Sequence, residues 1–262
     1  IEFIGQSFKR RNQLSEIKKL ISPEKKVVII THYNPDGDAI GSALGLKHFL
    51  NNMGVEPTVL APNDFPKFLK WMPDAKKVVI AEYKRKTAGE AIYKADVIFC
   101  LDFNAHNRIG ILGDWLMKSW AKKILIDHHQ QPEDFDYVYS DVTIPATCQM
   151  VYHFIEALGR EDLVDQNVAE CLYTGIMTDT GGFRFRSTSA TTHRIVANLI
   201  EKGANPAMIT SNTWDTNSVS RLHLLSLILG RIELVKDGKV AVLYLKREEL
   251  KEFGFEKGDT EG

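Results

Sequence analysis

The sequence predicts an α/β fold: a mainly parallel sheet with helices on both faces, followed by a linker helix and the start of a smaller α+β C-terminal domain. Short apolar, β-branched runs at 27–30, 97–101 and 124–126 alternate with stretches whose apolar residues recur at helical spacing. Parallel strands need such crossovers, so the alternation argues for a parallel sheet. The third observation concerns how the runs end. His32 follows the first, Asp102 the second, and Asp127-His128-His129 the third. The carboxyl ends of strands in open α/β sheets are where ligands bind.

Taken in order, residues 7–21 read as a basic amphipathic helix, with Phe8, Leu14, Ile17, Leu20 and Ile21 on one side and Pro23 beyond its end. Lys9-Arg10-Arg11 is its solvated face. Residues 27–30 form a strand and 39–52 a helix closed by Gly54; 57–61 is the next strand, completing one β-α-β step. Residues 63–73 are a loop with a short aromatic helix. A strand at 78–80, a helix near 86–94, a strand at 97–101, a helix around 111–120 and a strand at 124–126 repeat the alternation. The pattern then turns helical, at 146–158, 167–177 and 190–202, with a short helix at 208–214 and a connector at 219–229 ending on Gly230. Residues 232–245 read as a hairpin with an Asp237-Gly238 turn, and the charged stretch 246–252 is too short to cover it. Trp71, Trp115, Trp120 and Trp214 read as packing residues.

At 262 residues the chain can bury a substantial core, and a net charge of -1 provides no overall basic field for long nucleic acid. Three widely spaced cysteines, Cys100, Cys148 and Cys171, argue for a reducing compartment. No apolar run suits a bilayer and the N-terminus has no signal-peptide pattern, so the expected location is the cytoplasm.

The chemistry concentrates in four turns. His32-Tyr33-Asn34-Pro35-Asp36-Gly37-Asp38 packs a histidine and two carboxylates between a strand and a helix; Asp102, Asp127-His128-His129 and Asp179 in Thr178-Asp179-Thr180-Gly181-Gly182-Phe183-Arg184 follow. The plainer reading makes Asp38 a helix cap and Asp36 a turn residue, and lets Asp102 and Asp179 cap helices. Carboxylates converging on one sheet edge repel unless protonated or bridged by cations, and divalent metal answers that. With no cysteine in these turns, the carboxylate and imidazole donors suit Mn²⁺ or Mg²⁺ better than a structural zinc centre. Arg108 and Arg184 follow acidic motifs and could hold a phosphate in a fork. Gly181-Gly182 ends a helix or admits a ligand close to the backbone.

In their order and types these motifs, spanning residues 31–186, resemble the DHH phosphoesterase superfamily. Within it, His-Tyr-Asn-Pro-Asp-Gly-Asp-Ala-Ile-Gly-Ser and Thr-Asp-Thr-Gly-Gly-Phe-Arg-Phe resemble the nanoRNase / 3′-phosphoadenosine-5′-phosphate phosphatase group. The resemblance implies two divalent cations, Mn²⁺ before Mg²⁺: His32 and Asp36 on one, Asp38, His128 and Asp179 on the other, and Asp102 between them. It implies that Asp127 orients a neighbour and that His129 meets the substrate phosphate. The implied activity is hydrolysis of short oligoribonucleotides, of nucleoside 3′,5′-bisphosphate, or of both, by two-metal activation of a bridging water. Rivals are a RecJ-type single-strand exonuclease, a cyclic-dinucleotide phosphodiesterase, a family II pyrophosphatase and, from another class, a non-catalytic nucleotide-binding module. The implied domains are a catalytic one over 1–216, a linker helix over 217–230, and over 231–262 the beginning of an incomplete substrate-binding domain. The expected partner is short RNA or a nucleotide phosphate, with no membrane; a homodimer is compatible with this reading.

Overall fold

A computed structural model describes residues 13–255. Strands β1 (Val27–Ile30), β2 (Thr58–Ala61), β3 (Val79–Ile80), β4 (Val97–Leu101), β5 (Lys122–Asp127) and β6 (Tyr137–Ser140) form one sheet in the order β3-β2-β1-β4-β5-β6. Every pairing in it is parallel. The chain runs outward from β1 to β3 and returns on the other side at β4. The order therefore reverses between β1 and β4, and a crevice opens there beyond the strand ends.

Both faces of the sheet are covered, which is why the strand runs are apolar throughout instead of alternating. Val27 and Ile29 of β1, Val97, Phe99 and Leu101 of β4, and Ile124 and Ile126 of β5 pack into one core with helices α1 (Gln13–Leu20), α2 (Gly37–Asn52), α5 (Thr147–Leu158), α6 (Gln166–Asp179) and α7 (Ala190–Glu201). The intervening Val28, Ile30, Ile98, Cys100 and Leu125 form a second core with α3 (Arg85–Lys94) and α4 (Ile111–Lys118). Of the expected first helix, Ile17 and Ile21 are buried, while Phe8 and Lys9-Arg10-Arg11 lie outside the described residues.

Two details, at β6 and at the end of α4, depart from the sequence reading. β6 was not expected: its alternation is short, half-buried Tyr137 then buried Tyr139, and a polar loop precedes it. Helix α4 stops at Lys118, so Trp120 falls beyond it and is 100% exposed, with no packing role. The charged stretch near 246–252 forms a helix, α10 (Arg247–Glu252), after α8 (Pro206–Thr213), α9 (Val219–Leu229) and a hairpin of β7 (Glu233–Val235) and β8 (Val240–Val242). Lys236, Asp237 and Gly238 take left-handed backbone in the hairpin loop. Within α9 only Leu224 is buried; Val219, Leu222, Leu225 and Leu229 face outward. Among the described residues no helix is long and apolar enough to cross a membrane, and all three cysteines are buried free thiols.

Candidate metal centre

The register of the sheet sets the first three motifs in a row, with Asp102 between the other two. Ile30 of β1 lies opposite Cys100 of β4, and Leu101 opposite Ile126 of β5, so His32, Asp102 and Asp127-His128-His129 emerge at one edge. Asp102 leaves β4 with φ 64, a left-handed turn that aspartate tolerates better than most side chains. The remaining donors come from helices. Asp36 Oδ1 accepts from the amides of Asp38 and Ala39, capping α2, while Asp38 sits in its first turn. Asp179 ends α6.

Close packing of α2 against α6 brings Asp38 to Asp179. Gly37, Gly41 and Gly45 recur every fourth residue on α2 and face α6, which contributes Gly175. A Cβ on Gly41 would lie 2.6 Å from the Cys171 carbonyl oxygen, and one on Gly175 would lie 2.9 Å from Asp38 Oδ1. The two helix backbones approach this closely because those side chains are absent.

Three donor triads result, and within each one donor atom per residue lies within 4.8 Å of the others. His32, Asp36 and Asp102 form the first; Asp38, His128 and Asp179 form the second; Asp102, His128 and His129 form a third that overlaps both. Asp102 faces the first two. Its Oδ2 is 3.5 Å from His32 Nε2, and its Oδ1 is 3.5 Å from His128 Nε2. Nδ1 of His32 sits 2.8 Å from the Tyr33 carbonyl, and Nδ1 of His128 sits 3.3 Å from that of Ile144. A carbonyl only accepts, so each Nδ1 carries the proton and each Nε2 is turned to the carboxylates, as in metal-bound imidazoles.

The charge balance fits cations. Burial, then the charges of Asp38, Asp102 and Asp36, raises the Asp179 pKa to about 9. Burial, Asp102 and Asp36 also hold Asp38 well above the usual carboxylate range, against the opposing hydrogen bond from Cys148. Burial would lower the pKa of His32, yet its contacts with Asp102 and Asp36 raise it to about 10. Without cations the cluster must therefore retain protons that cations would replace. The Cys148 thiol nearby is pushed up by burial and Asp38, so no thiolate competes and the donor set stays oxygen and nitrogen.

The other expected residues sort themselves by contact. Asp127 is buried; its Oδ1 is 2.7 Å from His129 Nδ1, and its Oδ2 is buried with no hydrogen-bond partner among the described residues. His129 also lies 3.7 Å from Asp102 Oδ1. The Arg108 carbonyl accepts from the Tyr33 amide, and its positive charge acts on His129. Arg184 is placed differently: its Nε donates to Gly181 O within its own loop, 2.6 Å away. Gly181 and Gly182 lie under the rings of Phe185 and Trp214, so the aromatic rings occupy that close approach.

Sequence reasoning missed two supports. Asn63, just past β2, accepts from the Asn34 amide and donates to its side chain, both at 2.7 Å, clamping the first motif at a residue with φ 53. Thr147 and Cys148 at the start of α5 bind Asp38 and Asp102. The visible signal for the second was Ala146, a poor N-cap residue before a helix, which leaves the cap to be found elsewhere.

A family model described as the DHH family, N-terminal domain, matches residues 26–176. The bifunctional oligoribonuclease and PAP phosphatase NrnA of Thermus thermophilus is 33% identical over 199 residues, covering 75% of this chain and 56% of that protein. Its namesake from Bacillus subtilis is 24% identical over 242 residues, covering 92% and 72%. The crystal structure of an exopolyphosphatase-related protein from Bacteroides fragilis superposes with a TM-score of 0.92 at 40% identity, covering 95% of this chain and 74% of that one. This chain thus spans little more than half of the Thermus relative.

Proposed function

The chain belongs to the DHH family, and on that premise we propose that it is a divalent-cation-dependent phosphoesterase, acting in the cytoplasm on short oligoribonucleotides and nucleoside 3′,5′-bisphosphate. The observation that carries this reading is Asp102, whose two oxygens face two inward-turned imidazoles from opposite sides. The names of the Thermus and Bacillus relatives support the substrate class.

In this reading His32 and Asp36 hold one cation, Asp38, His128 and Asp179 hold the other, and Asp102 is shared. Mn²⁺ suits a mixed imidazole and carboxylate set better than Mg²⁺. Cations held there would neutralise charge on a phosphate and acidify the attacking water. The chain's own residues do the rest. Asp127 fixes His129 by its Nδ1, and that hydrogen bond raises the imidazole pKa against the opposing effect of burial. His129 can then meet a phosphate oxygen as a cation and give its Nε2 proton to the leaving oxygen. Arg108 adds positive charge on the same side; Arg184 contributes through the part of its guanidinium not tied to Gly181. Residues 1–216 would be the catalytic domain, 217–230 a linker, and 231–262 the beginning of a smaller substrate-binding domain.

The name of the Bacteroides relative favours condensed phosphate as a second substrate class. The test is a panel with Mn²⁺, scoring product length and phosphate release on dinucleotides, longer RNA, nucleoside bisphosphate, pyrophosphate and polyphosphate. The proposal expects dinucleotide and bisphosphate to be turned over fastest. Turnover of condensed phosphates alone would move the protein to the second reading, and no cation-dependent turnover would leave a binding module.

A further inference from the structure

We infer that Thr147 is a positioning residue for Asp102: its hydroxyl decides which carboxylate oxygen faces which half of the metal centre. The inference rests on the two-cation reading above and concerns how this chain builds the shared ligand.

Thr147 is the first residue of α5 and is fully buried. Its Oγ1 donates to Asp102 Oδ1 at 2.9 Å. That is the oxygen turned toward His128; the other, Oδ2, is turned toward His32. The last torsion of an aspartate is broad and roughly two-fold, so covalent structure alone does not fix the carboxylate plane. The histidine neighbours, at 3.5 to 3.7 Å, are longer than hydrogen bonds and two of them are expected to be ligands themselves. The Thr147 hydroxyl is the neutral donor that keeps its bond whether protons or cations occupy the centre.

The same turn of α5 also holds Asp38. The Thr147 amide donates to Asp38 Oδ2 at 2.6 Å, and the Cys148 amide donates to Asp38 Oδ1 at 2.8 Å. Ala146 at the N-cap has no side-chain oxygen, so Asp38 supplies the cap from a different helix. One rigid element thus positions a carboxylate of the second triad through its backbone and the shared carboxylate through a side chain. At the first position of its helix Thr147 has no helical carbonyl four residues back to bond, so its hydroxyl is free for a partner elsewhere. Thr147 donates across the fold.

The test uses the full chain and three substitutions, T147S, T147A and T147V, titrated with Mn²⁺ alone. Stoichiometry and affinity are read by calorimetry, and the paired-ion state by the spin-coupled signal in electron paramagnetic resonance. T147S keeps the hydroxyl and should bind two ions as the wild type does. T147A and T147V should bind the weaker of the two ions roughly tenfold or more less tightly, the range seen when groups supporting a ligand are removed. They should also lose the coupled signal at Mn²⁺ levels that saturate the wild type. Circular dichroism of the chelated proteins should superimpose, and if T147V does not fold, the T147A against T147S comparison decides. Wild-type affinity and coupling in T147V or T147A overturn the inference, as does loss of the pair in T147S, which would make packing the cause. A wild type that binds no Mn²⁺ overturns the two-cation reading itself, and this inference with it; that result is distinct from both of the others.

Discussion

Asp102 combines two burdens, a left-handed backbone at φ 64 and a buried charge placed between other carboxylates. Asparagine tolerates the same backbone, so Asp102→Asn removes the charge without adding the strain that most side chains would bring. Turnover in Mn²⁺ should fall by at least about a hundredfold, the upper range for losing even a supporting group, and paired-ion binding should be lost. The chelated variant should melt lower than the wild type, because burial raises the Asp102 pKa but the pairing with His32 outweighs it and holds the carboxylate below its usual range, and that stabilising pairing is lost. Activity and thermal melts check both halves; near wild-type turnover would sink the shared-ligand role. The candidate donors were legible because each sits at the end of a strand or helix and is of a type that binds cations. Asp36 shows the limit of that logic. It is the cap of its helix and a member of a triad at once, so the plain and functional readings were never exclusive. Asn63 and the handedness of Asp102 were not legible, because each depends on a partner or a dihedral that no local pattern carries; Thr147 left only the trace of Ala146, a poor N-cap, ahead of it.

Helix α2 positions the site through its glycines as much as its acids. Glycine to alanine within a helix ordinarily stabilises by up to about 1 kcal/mol. At Gly41 the sign should invert, because the new methyl meets the Cys171 carbonyl; overpacking of this kind costs about 1–3 kcal/mol. Gly41→Ala should therefore lower the denaturant midpoint and, by separating Asp38 from Asp179, weaken Mn²⁺ binding. Gly230→Ala, at φ -68 with its nearest neighbour at 3.5 Å, is the control that should be neutral or stabilising. The other side of α2 is tied down electrostatically. Lys47 meets Asp74 at 2.6 Å, and Lys77 meets it at 2.8 Å. Burial raises the Asp74 pKa, but these lysines outweigh it and hold the value at about 2. A carboxylate with a depressed folded pKa contributes stability above its unfolded value, near 4, and loses it as pH falls through about 2. Asp74→Asn should flatten the acid limb of a stability curve between those values by about 1 kcal/mol, and an unchanged limb would assign the acid sensitivity elsewhere. The alternation of strands and helices was readable from apolar spacing. β6 was not, since four residues, three half-buried and only Tyr139 buried, after a polar loop carry too little periodicity.

Across the whole chain, the proposed domain division predicts that chemistry and recognition separate along the sequence. The six candidate ligands run from His32 to Asp179, and the two cores take their buried residues from Ile17 to Ile209. Leu224 is in neither core, and among the described residues the C-terminal segment makes contacts within itself: Ser220 Oγ donates to Phe253 O, Arg231 pairs with Glu249, and His223 packs against Phe253. Ending the chain at residue 216 should therefore leave the body folded, with a melting temperature within about 4 °C, the shift expected for about 1 kcal/mol at this size. Mn²⁺ stoichiometry should be unchanged. If residues 217–262 contribute to the grip on the remote part of a substrate, their loss should raise KM for a dinucleotide several-fold. A small activated phosphodiester, with no remote part to hold, should be hydrolysed as before. Comparing both substrates on both chain lengths separates the outcomes. Loss of Mn²⁺ binding on shortening would mean that the centre depends on the C-terminal segment; equal dinucleotide efficiency would mean that residues 217–262 add nothing to recognition, and the proposed domain division would fall.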